Sequence, residues 1–153
     1  MTEETTRELV IERVFNAPRE VVYRAFTDPD QLSQWFGPAG WSVPRESVEI
    51  DLRPGGVQKF VMVNDADPSQ TSPVNARFTE IIENELIIGE EGPGSGDPAQ
   101  AGSKLTARLE FHDEPGGRTR LVLRQGPFPA DVTEMAREGW GTSFTKLDAL
   151  VAR

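Results

Sequence analysis

The sequence predicts an α+β protein in which an antiparallel sheet buries one face under a long C-terminal helix. Three observations carry that prediction. Between residues 48 and 125, short stretches alternate apolar with polar residues and are broken by Pro-Gly-Gly and Asn-containing turns. Two helix-start signals lie between the first strand-like stretch and that region. After residue 130 the apolar period lengthens from two to three or four residues, the spacing of an amphipathic helix.

The elements follow in order. In residues 7–15, Leu9, Ile11, Val14 and Phe15 make an imperfect alternation suited to an edge strand. Asn16-Ala17-Pro18 reads as a helix start, with a capping residue and a proline in the first turn, ahead of Val21, Val22, Ala25 and Phe26. Asp28-Pro29-Asp30-Gln31 is a second start, with Asp28 as N-cap, Pro29 at the first helical position and Gln31 at the capping-box position. Gly37-Pro38 must end that helix soon after Leu32, Trp35 and Phe36. Val48, Ile50 and Leu52 then alternate with Glu49 and Asp51 before the Pro54-Gly55-Gly56 turn. Phe60–Val63 is the next strand, 64–73 a polar loop, and 74–83 and 86–90 are two strands joined at Glu83-Asn84-Glu85. The Gly/Pro/Ser-rich residues 91–104 lack any period and predict a mobile loop. Leu105, Ala107, Leu109 and Phe111 alternate cleanly, and 118–125 is a last strand after Pro115-Gly116-Gly117.

From Ala130 to Arg153, the residues Val132, Met135, Ala136, Trp140, Phe144, Leu147 and Val151 fall on one face of a helix of roughly five to six turns. Gly139 and Gly141 flank Trp140, which suggests a bend or a close backbone approach. The order is strand, two short helices, six strands, long helix, with no repeat and no linker between two cores. A single domain over 1–153, with its core at about 7–151, is expected.

That order resembles the START-like (SRPBCC) helix-grip superfamily, as do the motifs Trp35-Phe36-Gly37-Pro38, Asp51-Leu52-Arg53-Pro54-Gly55-Gly56 and Glu138-Gly139-Trp140. Within it the chain is most similar to bacterial homologues of the heat-shock-protein ATPase activator (Aha-type). The resemblance implies a curved seven-stranded antiparallel sheet wrapped round the C-terminal helix, with an internal cavity that takes an apolar or aromatic small molecule. It implies no catalytic residue. The co-chaperone of this group resembles the chain only through its C-terminal domain and carries an additional N-terminal domain, so no chaperone partner is expected.

Candidate ligand contacts are Trp35, Phe36 and Trp41 around the Gly37-Pro38 break. Phe60, Met62, Phe78, Phe111, Leu121, Leu123, Met135, Trp140 and Phe144 join them as an inward wall, with Glu80 among the contacts. The same side chains would equally make an ordinary core. Ligand pockets run from about 300 Å³ upward, so a fully packed interior under about 100 Å³ would sink the reading of a ligand enclosed in a cavity.

Acid–base chemistry would require a carboxylate held in the apolar interior. Glu80 shares strand parity with Val74, Ala76 and Phe78 and is the candidate, with Arg77 or Arg45 as partner; Glu49 has outward parity. His112, the only imidazole, also has outward parity, and no Gly-x-Ser-x-Gly elbow is present. Gly94-Ser95-Gly96 lacks the Lys-Ser/Thr of a phosphate loop. The acidic run Glu80, Glu83, Glu85, Glu90 and Glu91 lacks calcium-hand spacing and reads as a solvated hairpin.

The absence of Cys excludes disulfides, thiolate metal sites and a Cys nucleophile, and one His excludes a poly-His metal centre. No metal or cofactor is implied. A net charge of −9 opposes nucleic acid and anionic membranes as partners. Arg108, Arg118, Arg120 and Arg124 read as a solvated sheet face. The N-terminus is polar and acidic, unlike a targeting peptide, and no apolar run approaches membrane-spanning length, so a cytoplasmic protein is expected. The leading expectation is a module binding a small hydrophobic or aromatic ligand. The alternatives are a cyclase-, hydratase- or hydrolase-type enzyme using Glu80, and a chaperone-associated interaction protein. A homodimer through an edge strand or the aromatic loops is compatible with all three.

Overall fold

The computed structural model describes residues 6–91 and 105–151, with the backbone alone for 6–7 and 127–132. Strand β1 (Thr6–Phe15) leads into helices α1 (Arg19–Thr27) and α2 (Pro29–Trp35). A short rung β2 (Trp41–Ser42), a 3-10 turn at Arg45–Ser47 and β3 (Glu49–Ile50) follow. The main strands are β4 (Val57–Asn64), β5 (Thr71–Ile82), β6 (Leu86–Glu91), β7 (Leu105–Glu114) and β8 (Arg118–Pro129), and the chain ends in α3 (Ala130–Val151).

All pairings are antiparallel, in the order β1-β8-β7-β6-β5-β4-β2, with β3 also on β4. This is the expected helix-grip architecture: a curled sheet, two short helices after the first strand, and the long helix packed against β1, β8, α1 and α2. The seven expected strands are present. The additional β2 pairs Trp41 and Ser42 with Asn64 and Val63, and two residues are too few to leave an alternation in sequence. Of residues 91–104, predicted as a loop, Glu91 ends β6 and the rest lie outside the described residues.

Local chemistry explains the joints. Asp28 closes α1 by donating its N–H to the Arg24 carbonyl at 2.8 Å, and it caps α2 by accepting from the Asp30 N–H at 2.9 Å, with Pro29 at the first turn. The start of α1 differs from expectation. Pro18, not Asn16, occupies the N-cap and no side chain caps the helix, while Thr119 Oγ1 donates to the Ala17 carbonyl at 2.6 Å. Asn84 turns the β5–β6 hairpin with φ +64°, a conformation Asn tolerates.

The core lies between the concave sheet face and the helices. Phe15, Leu32, Trp35, Phe60, Phe111, Leu121, Leu123, Phe144 and Leu147 are buried there. Each such side chain contributes about 1.5–3 kcal/mol by leaving water. The rings meet edge-on: Phe26 with Trp35 (4.8 Å between centroids) and with Phe111 (5.6 Å), and Phe15 with Phe144 (5.6 Å).

The convex face carries the charge. Arg108 and His112 both reach Glu110 (2.7 and 3.0 Å), Arg120 reaches Glu114 (3.0 Å) and Glu12 (3.7 Å), and Arg124 reaches Glu8 (3.6 Å). The hydrogen bonds from Arg108 and His112 hold the Glu110 carboxyl below its usual range. This arginine-rich region is a solvated ion-pair ladder.

Candidate functional site

The register across the middle of the concave face places small residues side by side. Phe78 pairs with Gly89, Gly89 with Ala107, Ala107 with Gln125, and Gln125 with Leu9. Gly89 contributes no side chain and Ala107 only a methyl, so the space between their neighbours is left unfilled. A hollow of about 60 Å³ results, lined by Phe26, Gln58, Ala76, Phe78, Ile87, Gly89, Glu91, Ala107 and Leu109. That is about two waters' share of liquid volume, and far below the roughly 300 Å³ of a ligand pocket.

Among the described residues only Phe78 of the expected wall lines this hollow. Trp35, Phe60, Phe111, Leu121, Leu123 and Phe144 are buried in the packed core instead. The Trp35 indole N–H is itself satisfied internally, donating to the Ala25 carbonyl at 2.8 Å. Phe36, Met62 and Trp140 are half-buried, together with Val74, and pack against that core with part of their surface open. The Phe36 ring stands between the core and α3, 4.8 Å from Phe60 and 5.5 Å from Trp140. Trp41 is half-buried and acts through its backbone: its carbonyl accepts from Lys146 Nζ at 3.1 Å. Burial holds the Lys146 ammonium below its usual pKa, opposed by the nearby Asp65.

Two predicted contacts do not face the interior. Glu80 is exposed, because β5 carries a bulge: Phe78 pairs with Gly89 but Glu80 with Ile88, leaving Thr79 as an extra residue. One inserted residue inverts the parity that follows, so Ile81 packs on the core and Glu80 turns outward. Arg77 is exposed too, and its guanidinium donates to the Gly55 carbonyl at 2.8 Å. Met135 has 65 % of its surface exposed. The inward stripe of α3 runs through Thr133, Ala136, Trp140, Phe144, Leu147 and Val151, and Met135 lies about 100° round the helix from Ala136.

The three sequence motifs are joints. Asp51–Gly56 clamps the bulge: Gly55 N–H donates to the Phe78 carbonyl at 2.7 Å, and Phe78 N–H donates back to the Gly56 carbonyl at 2.9 Å. A Cβ on Gly56 would sit 2.0 Å from the Asp51 carbonyl oxygen, so no other residue fits there unaltered. The Trp35–Pro38 segment docks on α3 around Glu138-Gly139-Trp140. Gly37 N–H donates to Ser143 Oγ at 3.1 Å and Ala39 N–H to Thr142 Oγ1 at 3.0 Å. A Cβ on Gly139 would touch Pro38 at 3.8 Å, whereas Gly141 faces open space, so the expected close approach holds for neither glycine in a strict sense.

Gly89, Ala107 and Gln125 were not among the residues expected from sequence. Gln125 is buried on the concave face, and Trp140 Nε1 donates to its Oε1 at 2.7 Å. The signal was available in the inward positions Ile87-x-Gly89-x-Glu91 and Leu105-x-Ala107-x-Leu109, where small residues interrupt the bulky series on two adjacent strands. The acidic run forms no group able to hold a metal among the described residues, and Gly94-Ser95-Gly96 lies outside them. No helix among the described residues is long and apolar enough to cross a membrane.

Known proteins place this geometry in a family. A crystal structure of protein CV1439 from Chromobacterium violaceum is similar over 95 % of this chain and 97 % of its own, with 28 % identity and a TM-score of 0.84. Protein NE0264 from Nitrosomonas europaea is 26 % identical over 95 % of this chain and 94 % of its own, with a TM-score of 0.78. The AHSA1 (SPO3351) protein from Silicibacter pomeroyi is 25 % identical over 95 % and 98 %, with a TM-score of 0.77. No curated protein matches the chain. The family model for Activator of Hsp90 ATPase homolog 1-like proteins matches residues 16–152, and with the helix-grip fold in place, the chain belongs to that AHSA1 family.

Proposed function

We propose that this protein binds a small apolar molecule end-on against the concave sheet face rather than enclosed within it, because the hollow alone is too small to hold one. One end enters the hollow over Gly89 and Ala107, and the body lies along the half-buried Phe36, Met62, Val74 and Trp140. The observation that carries the reading is the pairing of Gly89 with Ala107, which leaves about 60 Å³ unfilled on a concave face that also carries apolar surface the core does not fully cover. An occupant removes both the void and the exposed apolar area, and each square ångström covered is worth roughly 25 cal/mol. The fold supports this, since helix-grip members of the family typically enclose a ligand-binding cavity. The enzyme reading loses its candidate: Glu80 and Arg77 both face solvent.

Xenon probes a hollow of this size. Wild-type protein under xenon pressure should move the methyl NMR resonances of Ala76, Ala107 and Leu109, and Ala107→Leu, which fills the space, should abolish the response. An unchanged response in the variant refutes the placement of the hollow. Native mass spectrometry of protein purified from its own host should then reveal a co-purified small molecule, which Ala107→Leu loses.

A further inference from the structure

We infer that Gln125 presents a fixed hydrogen-bond donor to this surface, so that the ligand carries an acceptor oxygen of the carbonyl type on an otherwise apolar body. The inference rests on the binding reading above and deepens it. An indole N–H can only donate, so Trp140 Nε1, 2.7 Å from the Gln125 side chain, fixes the amide with its oxygen toward Trp140 and its NH2 pointing away. Gln125 is only 6 % exposed, yet its amide nitrogen donates to no described residue. Among the described residues no fully enclosed side-chain nitrogen or oxygen lacks a partner, and the Gln125 nitrogen has none there, so with respect to them it borders open space. The location matches: Gln125 is the cross-strand neighbour of Ala107, which lines the hollow, and Trp140 belongs to the half-buried apolar surface. A donor pinned in place loses little freedom when an acceptor arrives, while an apolar ligand without one leaves the NH2 unpaired as water is expelled.

The test uses two near-isosteric probes, acetophenone and α-methylstyrene, which differ by a carbonyl oxygen against a methylene. Dissociation constants come from NMR titration of the wild type, Gln125→Leu and Trp140→Phe. Acetophenone, and not α-methylstyrene, should shift the Gln125 side-chain NH2 resonances of the wild type. The preference for acetophenone should fall about five- to tenfold in Gln125→Leu, the net worth of one hydrogen bond. It should fall about two- to threefold in Trp140→Phe, where the amide keeps its donor but loses its anchor. If Gln125→Leu does not fold, the wild-type NH2 shift and Trp140→Phe decide. Binding of both probes with an unmoved Gln125 amide and an unchanged preference overturns the acceptor inference and leaves the apolar-binding reading standing. Failure of both probes to bind wild-type protein overturns both.

Discussion

Replacing Ser143 by Ala tests whether the docking of the Trp35–Pro38 segment on α3 is held by one buried hydroxyl. Ser143 is 3 % exposed, accepts from Gly37 N–H at 3.1 Å and donates to the Trp35 carbonyl at 3.4 Å. Gly37 is itself buried and holds φ +107°, so its N–H cannot turn to another partner without moving the turn. Ser143→Ala removes one oxygen and leaves that donor dry, which costs about 1–3 kcal/mol. The bond to Trp35 is long for O–H···O and adds little. A net loss of about 2 kcal/mol is expected, equivalent to a Tm lower by about 4–8 °C in a chain of this size. Thr142→Ala is the internal control: it removes an equally short bond, to Ala39 N–H at 3.0 Å, but Ala39 is exposed and water replaces the hydroxyl. Its loss should stay within about 0.5 kcal/mol. Urea unfolding measures both, and unchanged m-values would show that the unfolded states are comparable. Equal losses in the two variants, or a Ser143→Ala protein as stable as wild type, would refute the reasoning.

Gly56→Ala should destabilise by more than about 2 kcal/mol, because its Cβ would collide with the Asp51 carbonyl and open the clamp on Phe78. Gly55→Ala, at φ +85° with open space around it, should cost only about 1 kcal/mol, and thermal unfolding showing the reverse order would contradict the clamp. Asp28→Ala should cost about 1 kcal/mol through loss of the α2 cap and Asp28→Asn much less, as read from urea midpoints. The Glu110 carboxyl titrates below its usual value when folded, so the unfolded chain binds more protons in that window and stability rises with pH there. The contribution is fully present above about pH 4.3 and is lost as pH falls through the folded value. Glu110→Gln should therefore flatten the acid limb of a urea-midpoint profile; an identical limb would show that Glu110 is not its source.

What was legible in sequence follows from how local each signal is. The Asp28 cap with Pro29 behind it, the Asn84 turn and the alternation of Leu105–Phe111 act within a few residues and appear as read, whereas the Asp28 N–H bonds the Arg24 carbonyl instead of a capping-box Gln31. Each depends on backbone preferences that hold before any long-range contact forms. Glu80 and Met135 were misplaced because their orientation is not local. The bulge at Thr79 lies beside Phe78, which Gly55 and Gly56 bond from outside β5, and nothing within β5 announces it. The face of α3 that turns inward is chosen by where β1, α1 and α2 meet it, and the apolar period alone leaves Met135 and Ala136 as rivals for the same stripe.

The sequence by itself determined the fold class, the element order and the family, because hydrophobic period, capping and turn residues are encoded in near neighbours. Only the tertiary structure decided which of its large apolar side chains fill the core and where space is left. That space arises from the register that brings Gly89 beside Ala107 and Ala107 beside Gln125. Register is a relation between strands, set by long-range pairing and closed by β1 joining β8, so no single stretch of the chain contains it.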